Sequence, residues 1–342
     1  MNLAGLPADV VTKRMPDSQT KRSIASSFKN RIGKLTPNGR PLASIVRISR
    51  WQLSVSPDEV SMMPSPPARD TAKASADRAI QPIGACTMVA SGLPFGVNLP
   101  IRFLKDDAML RFVCEAGIRF VTTSAGSPAK FIAPLHAAGI KVYHAVPTLE
   151  TALKCVDAGI DGLVVEGSEG GGFKNPEEVS TLVLLQAIRE RVDVPLIAAG
   201  GIIDGRGMAA AFALGAEAIQ MGTRFVASAE SPVHANFKQA ILAADATGTW
   251  LLNKKSTPCI RALKTPFTQA IHEMGLMPAS TFAGIQQVYF GGDMDAAPAL
   301  AGQSAGLIHA VLTVQQIIDH TVAEFHAITA RLGAMAGAAD FG

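Results

Sequence analysis

Glycines that end helices recur along this chain at short, regular intervals, and an apolar segment of strand length follows each of them. Gly117, Gly139 and Gly159 are 22 and 20 residues apart, and Gly215 repeats the pattern further on. A glycine in the left-handed conformation just past a helix stops that helix and turns the chain into the next element. The spacing therefore predicts a series of compact β/α units with parallel strands.

Six segments are predicted to be buried parallel strands, because their apolar runs are continuous rather than alternating. They cover residues 94–99, 118–122, 141–146, 161–165, 195–199 and 218–221. An open doubly wound sheet would carry a GxGxxG phosphate loop after its first strand, and no such motif is there. We therefore expect an α/β fold of the TIM (β/α)8 barrel type, with a C-terminal helical extension and without recognisable versions of the first two barrel strands.

The N-terminal part of the chain differs from the rest. Residues 1–50 carry ten Lys or Arg against two acidic residues, and residues 36–90 are rich in Ser, Pro, Arg and Ala. A disordered basic extension and an altered N-terminal segment both remain open. We divide the chain into an irregular basic region (1–92), barrel units that carry the main site (93–230) and a mainly helical C-terminal part (231–342).

Composition argues against several classes of protein. No apolar stretch reaches the roughly 18 residues of a membrane-spanning helix. The four cysteines show no CxxC spacing, and no His/Cys/Asp cluster has the spacing of metal ligands. The basic arm has a single aromatic residue, Phe28, that could stack on a base. We expect a cytoplasmic protein that binds no metal, membrane or nucleic acid, and the sequence leaves the oligomeric state open.

Two Gly-centred turns predict a phosphate site. Gly200 and Gly201 follow one predicted strand, and Gly222 and Thr223 follow the next. Glycines directly after buried strands leave backbone N–H groups uncovered, and a following helix N-terminus adds partial positive charge. In (β/α)8 barrels such a site is formed after strands seven and eight. The pair of turns therefore indicates a phosphate-bearing cofactor.

Five short segments, taken in the order in which they occur, resemble one protein family. Residues 94–99 read PFGVNL, and EGSEGGG, AAGGI, QMGTRF and AGQSAGLI follow at 166–172, 198–202, 220–225 and 301–308. Together they resemble the nitronate monooxygenase (2-nitropropane dioxygenase) family of FMN-dependent barrels, which is related to flavin-type enoyl-acyl-carrier-protein reductases. The resemblance covers about two-thirds of the chain.

This resemblance implies an FMN cofactor and assigns residues to it. The glycines of the two turns and the Thr223 hydroxyl would hold the phosphate. Asn98 would bind the isoalloxazine ring, because an amide side chain both donates and accepts hydrogen bonds. Gln303 and Ser304 belong to a loop that would close over the flavin. The remaining predicted cofactor contacts are Glu166, Gly171, Gly172 and Gln220.

One position departs from the family pattern. Family members have a histidine directly after the Gly-rich turn, whereas this chain has Phe173, whose ring cannot transfer a proton. The predicted catalytic side chains are therefore His144, on the strand at 141–146, and Ser124, after the strand at 118–122. Both are expected to face the barrel mouth. A packed, hydrogen-bonded histidine is the alternative for His144, and we expect Lys174 to be a surface charge.

The function that the resemblance implies is oxidation of alkyl nitronates by O2 to carbonyl compounds and nitrite, with the flavin supplying the redox chemistry. Two alternatives remain open. One is an NAD(P)H-dependent flavin reductase of enoyl thioesters or quinones, and the other is a non-catalytic FMN-binding protein. The expected partners of an enzyme are a small-molecule substrate and either O2 or NAD(P)H.

Overall fold

A six-stranded parallel sheet forms the centre of the structure, a computed structural model that describes residues 96–104 and 107–338. The strands are β1 (Gly96–Pro100), β2 (Phe120–Ser124), β3 (Lys141–Val146), β4 (Gly162–Glu166), β6 (Leu196–Ala199) and β7 (Ala218–Gln220). They lie side by side in chain order, and every neighbouring pair is parallel. All six predicted strands are confirmed, with ends shifted by at most two residues.

Helices connect these strands, as the repeating pattern predicts. They are α1 (Ala108–Glu115), α2 (Ala129–Ala137), α3 (Leu149–Asp157), α4 (Thr181–Arg189) and α5 (Gly205–Ala213), with the short α6 (Thr223–Val226) after β7. The four helix-ending glycines have φ angles of 69°, 73°, 86° and 97°. Left-handed backbone is unstrained only for glycine. Each of these residues therefore ends its helix in the predicted way.

The two faces of the sheet have different neighbours. One face carries a small apolar cluster of Val164, Ile197 and Ala199, with partly buried side chains from β3 and β7 around it. The opposite face packs against the helices, and side chains such as Val142 and Leu163 are fully buried there. The sheet curls into part of a barrel, so the first face is the barrel interior.

A second, antiparallel sheet consists of β5 (Gly172–Lys174), β9 (Cys259–Leu263) and β8 (Thr249–Leu252), in that order. The C-terminal part also contains α7 (Ala235–Ala243), α8 (Pro266–Met274) and α9 (Val314–Ala338). It therefore combines a β-hairpin with the predicted helices. The predicted irregular region 1–92 lies outside the described residues, and the three-part division of the chain stays a prediction.

The long helix α9 packs along α5, where a glycine permits close approach. A Cβ atom at Gly205 would lie 2.3 Å from the backbone nitrogen of Phe325. The Gly205 N–H donates to Glu324 Oε2 at 2.9 Å, and the rings of Phe212 and Phe325 are 5.2 Å apart. Within the described residues, no helix combines the length and apolar character needed to cross a bilayer.

Asp161 joins the beginnings of β3 and β4 at the end of the sheet opposite the predicted site. Its carboxylate accepts from Lys141 Nζ at 2.6 Å and from the Val142 N–H at 2.8 Å, and it lies 2.6 Å from His136 Nε2. Partial burial alone raises the Asp161 pKa, but these hydrogen bonds outweigh burial, so the pKa is lowered. Residues at this end of a barrel serve stability rather than chemistry.

We expect Asp161→Asn to lower the free energy of unfolding by about 1.5–3 kcal/mol at pH 7, the range for hydrogen bonds to a charged group. A carboxyl group whose pKa is lowered in the folded state contributes its full stabilisation of that state when the pH is above its unfolded-state pKa. This contribution is lost as the pH falls through the folded-state pKa. The difference between wild type and variant should therefore shrink below about pH 4. Urea unfolding at several pH values measures it. The control is Asp193→Asn, at a fully exposed carboxylate, which should leave the free energy of unfolding unchanged. If the difference between wild type and Asp161→Asn stayed constant down to about pH 3, the stabilising role of the Asp161 carboxylate would be contradicted.

Candidate cofactor and active site

Polar side chains collect on the interior face at the C-terminal end of the parallel sheet. Residues paired across parallel strands project to the same side, and alternate residues along a strand share a face. The register pairs Asn98 with Thr122, Glu166 with Ala199, and Ala199 with Gln220. The polar residues brought together on this face are Asn98, Thr122, Ser124, Glu166 and Gln220. Active sites of (β/α)8 barrels lie at this end.

Several of these side chains are held in place by hydrogen bonds or by burial. Thr122 Oγ1 donates to Asn98 Oδ1 at 3.1 Å, which fixes the orientation of the carboxamide and leaves its two N–H donors directed elsewhere. Ser124 and Gln220 are 6% and 7% exposed. Asn98 and Ser124 therefore lie on one face of the neighbouring strands β1 and β2, and Gln220 lies on the same face at the other edge of the sheet.

The two Gly-centred turns have the geometry of an anion cradle. Gly200 and Gly201 have φ angles of 88° and 74°, which places both in the left-handed region. A Cβ atom at Gly222 would meet no described atom within 4 Å. Thr223 Oγ1 accepts from the Gly302 N–H at 2.9 Å, so its hydroxyl hydrogen remains for another acceptor. Left-handed glycines after β6, an open backbone position at Gly222 after β7 and one hydroxyl donor together fit the phosphate of a cofactor.

The Gly-rich turn at residues 167–172 packs backbone against backbone on the loop at 301–303. A Cβ atom at Gly171 would lie 2.5 Å from the Ala301 carbonyl carbon, and one at Gly302 would lie 2.6 Å from Glu169 O. The Gln303 N–H donates to the same Glu169 carbonyl at 2.9 Å. The structure thus brings the predicted Gly-Gln-Ser loop to the site, with Ser304 buried and Gln303 exposed. Gly172, at φ 81°, has open space around it.

Glu169 caps the N-terminal end of helix α4. Its two carboxylate oxygens accept from the Thr181 N–H at 3.1 and 3.0 Å, at the first residue of α4. The Thr181 hydroxyl lies 3.1 Å from Glu169 and 3.0 Å from the Ala199 carbonyl, so it links the turn to the end of β6. Sequence reasoning did not identify Thr181 as part of this site.

Lys174 is buried, which corrects the expectation of a surface charge. Its Nζ lies 2.6 Å from Glu166 Oε1, and the two side chains are 3% and 10% exposed. The neighbouring Phe173 points the other way. Its ring packs 5.7 Å from that of Phe282, in an apolar cluster with Leu252 and Ile260. The residue at the family's histidine position is therefore part of a core.

His144 lies on the helix-facing side of the sheet, away from the other predicted site residues. The register pairs it with Thr123, one residue out of phase with Thr122 and Ser124. It is 2% exposed, with Nδ1 2.7 Å from Thr123 Oγ1, and burial lowers its pKa to about 4. The Thr123 hydroxyl also contacts the Tyr143 carbonyl oxygen at 3.1 Å. The structure therefore places Ser124 at the mouth and His144 outside it.

Comparison with known proteins gives consistent matches. The profile of the family described as Nitronate monooxygenase matches residues 68–324, beginning inside the region expected to be irregular. A relative from Rhodococcus jostii, named (3aS,4S,5R,7aS)-5-hydroxy-7a-methyl-1-oxo-octahydro-1H-indene-4-carboxyl-CoA dehydrogenase, is 36% identical over 193 residues, 56% of this chain and 54% of that protein. A protein named Nitronate monooxygenase from Paraburkholderia phytofirmans is 36% identical over 174 residues, 48% of each.

Among solved structures, FabK from Thermotoga maritima is 39% identical, with a TM-score of 0.69 over 74% of this chain and 83% of that one. This likeness agrees with the parallel sheet. The fold is a TIM barrel, and the described residues form six of its strands. The chain spans about half the length of the curated relatives that it matches.

Proposed function

Because the chain belongs to the nitronate monooxygenase family, we propose that it is an FMN-dependent oxidoreductase that oxidises alkyl nitronates with O2 to carbonyl compounds and nitrite. The observation that carries the proposal is the cradle at Gly200, Gly201 and Gly222 beside the Thr223 hydroxyl, with its open backbone position at Gly222. It lies at the ends of β6 and β7, next to the polar interior face. We keep the three-part division of the chain and the cytoplasmic location as proposals.

Each part of the site has a distinct task in this proposal. The cradle binds the phosphate through backbone N–H groups and the Thr223 hydroxyl. Asn98, oriented by Thr122, hydrogen-bonds the ring system, and Ser124 and Gln220 bind polar groups of substrate or cofactor. When bound, FMN supplies the electron transfer between substrate and O2. The apolar cluster around Val164 and Ile197 excludes water from the interior below the site.

Among the described residues, neither Phe173 nor His144 supplies a base at the mouth, and this favours a substrate that arrives as an anion. Phe173 is packed in an apolar cluster, and His144 faces the helices. A neutral nitroalkane must lose a carbon-bound proton to a base before oxidation, whereas a pre-formed nitronate needs no such step. We therefore propose that this chain uses nitronates in preference to neutral nitroalkanes.

A second candidate function is reduction of enoyl thioesters or quinones with NAD(P)H. Two comparisons favour it: the likeness to FabK, and a relative whose name describes a carboxyl-CoA dehydrogenase. Reductases of this type also use a flavin, so the cradle does not separate the two candidates.

The experiment that tests the proposal begins with the visible spectrum of the purified protein and chromatography of the cofactor released by heat. We expect flavin absorption and FMN as the released species. Nitrite release and O2 consumption are then measured with propyl-2-nitronate and with neutral 2-nitropropane. NAD(P)H oxidation is followed separately with a quinone and a crotonyl thioester. Nitrite from the nitronate supports the proposal; NAD(P)H turnover without nitrite supports the second candidate. A protein that neither carries nor takes up FMN contradicts both.

A further inference from the structure

The end of helix α8 presents an apolar surface that takes no part in the proposed cofactor site. Gly275, at φ 66°, ends the helix, and the residues on either side of it, Met274 and Leu276, are 60% and 63% exposed. Met274 borders a groove with a volume of about 160 Å³, whose lining also includes Phe267, Ala270, Ile271, Pro278 and Thr281. Single exposed apolar side chains are common on protein surfaces, whereas exposed apolar side chains around an apolar groove indicate a binding surface.

This surface is poor in charged residues. Residues 265–292 contain one of them, Glu273, although 17% of the whole chain is charged. Gln269 Nε2 donates to the Glu273 carboxylate one turn further along α8, so this charge lies along one edge of the helix. The neighbouring His272 ring stacks on Trp250, with the ring centroids 3.7 Å apart. Depletion of charged residues together with exposed methionine is typical of the core of a protein–protein interface.

A second copy of this chain fits the surface, because the surface contains both a projecting side chain and a hollow. Leu276 projects from the turn that follows α8, between two residues that line the groove. An apolar cavity of about 150 Å³ holds a benzene molecule, so the groove has room for a leucine side chain. A two-fold axis brings the same patch of both copies together. Leu276 of each copy then reaches the groove of the other.

The distribution of charge also favours a second copy over a charged partner. A two-fold axis places identical residues near one another, so charged residues close to the axis oppose self-association. The face formed by Ala270, Met274 and Leu276 carries no charge. A strongly charged partner would find only Glu273 to pair with on this surface.

The extent of the surface limits the strength of the contact. Twelve residues between positions 266 and 283 are exposed, whereas each side of a standard interface contributes about 20–30 residues, and smaller interfaces belong to transient complexes. We propose that α8 and the turn after it form a weak two-fold interface between two copies of this chain, in which Leu276 of each copy fills the groove of the other. The expected dissociation constant is about 10–100 µM, and the inference does not depend on the proposed FMN site.

The test is sedimentation equilibrium of the full chain at about 1–500 µM, a range that brackets the expected dissociation constant. We expect wild type to change from monomer to dimer across it. Leu276→Glu removes the projecting apolar side chain, and Ala270→Arg places a charged side chain in the groove, so each should raise the dissociation constant at least about tenfold. Both positions are exposed, so thermal unfolding of the monomer should not change. The matched control is Leu332→Glu, at a leucine of α9 that is 51% exposed, and it should associate like wild type.

A mixture of the two variants distinguishes a two-fold contact from a general loss of association. In the mixed dimer, Leu276 of the Ala270→Arg chain still meets an intact groove in the Leu276→Glu chain. At the second contact, the introduced carboxylate of one chain faces the introduced guanidinium of the other, which is an attractive pair. The mixture should therefore contain more dimer than either variant alone at the same total concentration.

Several results would overturn the inference. They are a wild type that stays monomeric at about 500 µM, a dimer that persists in both variants, a control that dissociates as they do, and a mixture without additional dimer. If wild type is monomeric and Leu276→Glu lowers its thermal stability, another segment of the same chain fills the groove, and the inference is again wrong. Should Leu276→Glu not fold, Leu276→Ala replaces it, and a dissociation constant equal to that of wild type overturns the inference.

Discussion

Replacing Gly222 with alanine should lower FMN affinity at least about tenfold, the loss of one or more hydrogen bonds to a charged phosphate, while the apo-protein remains as stable as before. Gly222 has φ −101° and ψ −76°, which alanine adopts without strain. Its Cβ atom would meet no described protein atom within 4 Å. The added methyl group therefore costs the fold nothing, and it enters the space in which a phosphate would approach the backbone N–H groups.

Two measurements separate binding from folding in this prediction. FMN affinity is measured by fluorescence quenching, and apo-protein stability by thermal unfolding. Gly333→Ala is the matched control, since a Cβ atom there also meets nothing, in the exposed part of α9. It should stabilise the helix by about 0.5–1 kcal/mol and leave FMN affinity unchanged. Wild-type FMN affinity in Gly222→Ala would show that the cofactor phosphate is not bound at this turn.

The strands of the barrel could be predicted because each depends on local signals. The apolar run at 141–146 follows Gly139, whose positive φ ends α2, and the observed strand has the same limits. The cradle glycines follow from the same logic, since Gly200 and Gly201 come directly after β6. These features need only chain order and the conformational freedom of glycine. They are also the features that carry the family resemblance.

The face on which a polar side chain lies could not be predicted in the same way. Strands of a parallel sheet are buried on both sides, so the segment around His144 shows no polar and apolar alternation to fix its phase. The environment of Lys174 depends on β5 pairing with β9, more than 80 residues later, and a three-residue strand gives no periodic signal. The face on which His144 lies and the surroundings of Lys174 therefore both depend on how strands that are distant in sequence pair with each other.

The buried histidine should make folding stability depend on pH in a defined range. Burial lowers the His144 pKa from 6.5 to about 4. The unfolded chain then binds more protons than the folded one between these values, so stability is complete above about pH 6.5 and falls towards pH 4. The shift corresponds to about 3 kcal/mol in total. This range lies above the one expected for Asp161, so the two contributions separate.

His144→Asn is the variant that isolates this contribution, because its amide group can hydrogen-bond with Thr123 Oγ1 without titrating. We expect urea unfolding to show that, between about pH 7 and 4, the free energy of unfolding falls by about 3 kcal/mol more for the wild type than for the variant. Since His144 faces the helices rather than the interior, FMN affinity and nitronate turnover of the folded variant should stay within about twofold of wild type, as expected for a residue outside the site. Parallel stability curves would contradict burial of a neutral imidazole. If the variant folded with normal stability but its turnover fell by orders of magnitude, His144 would be shown to be a catalytic residue.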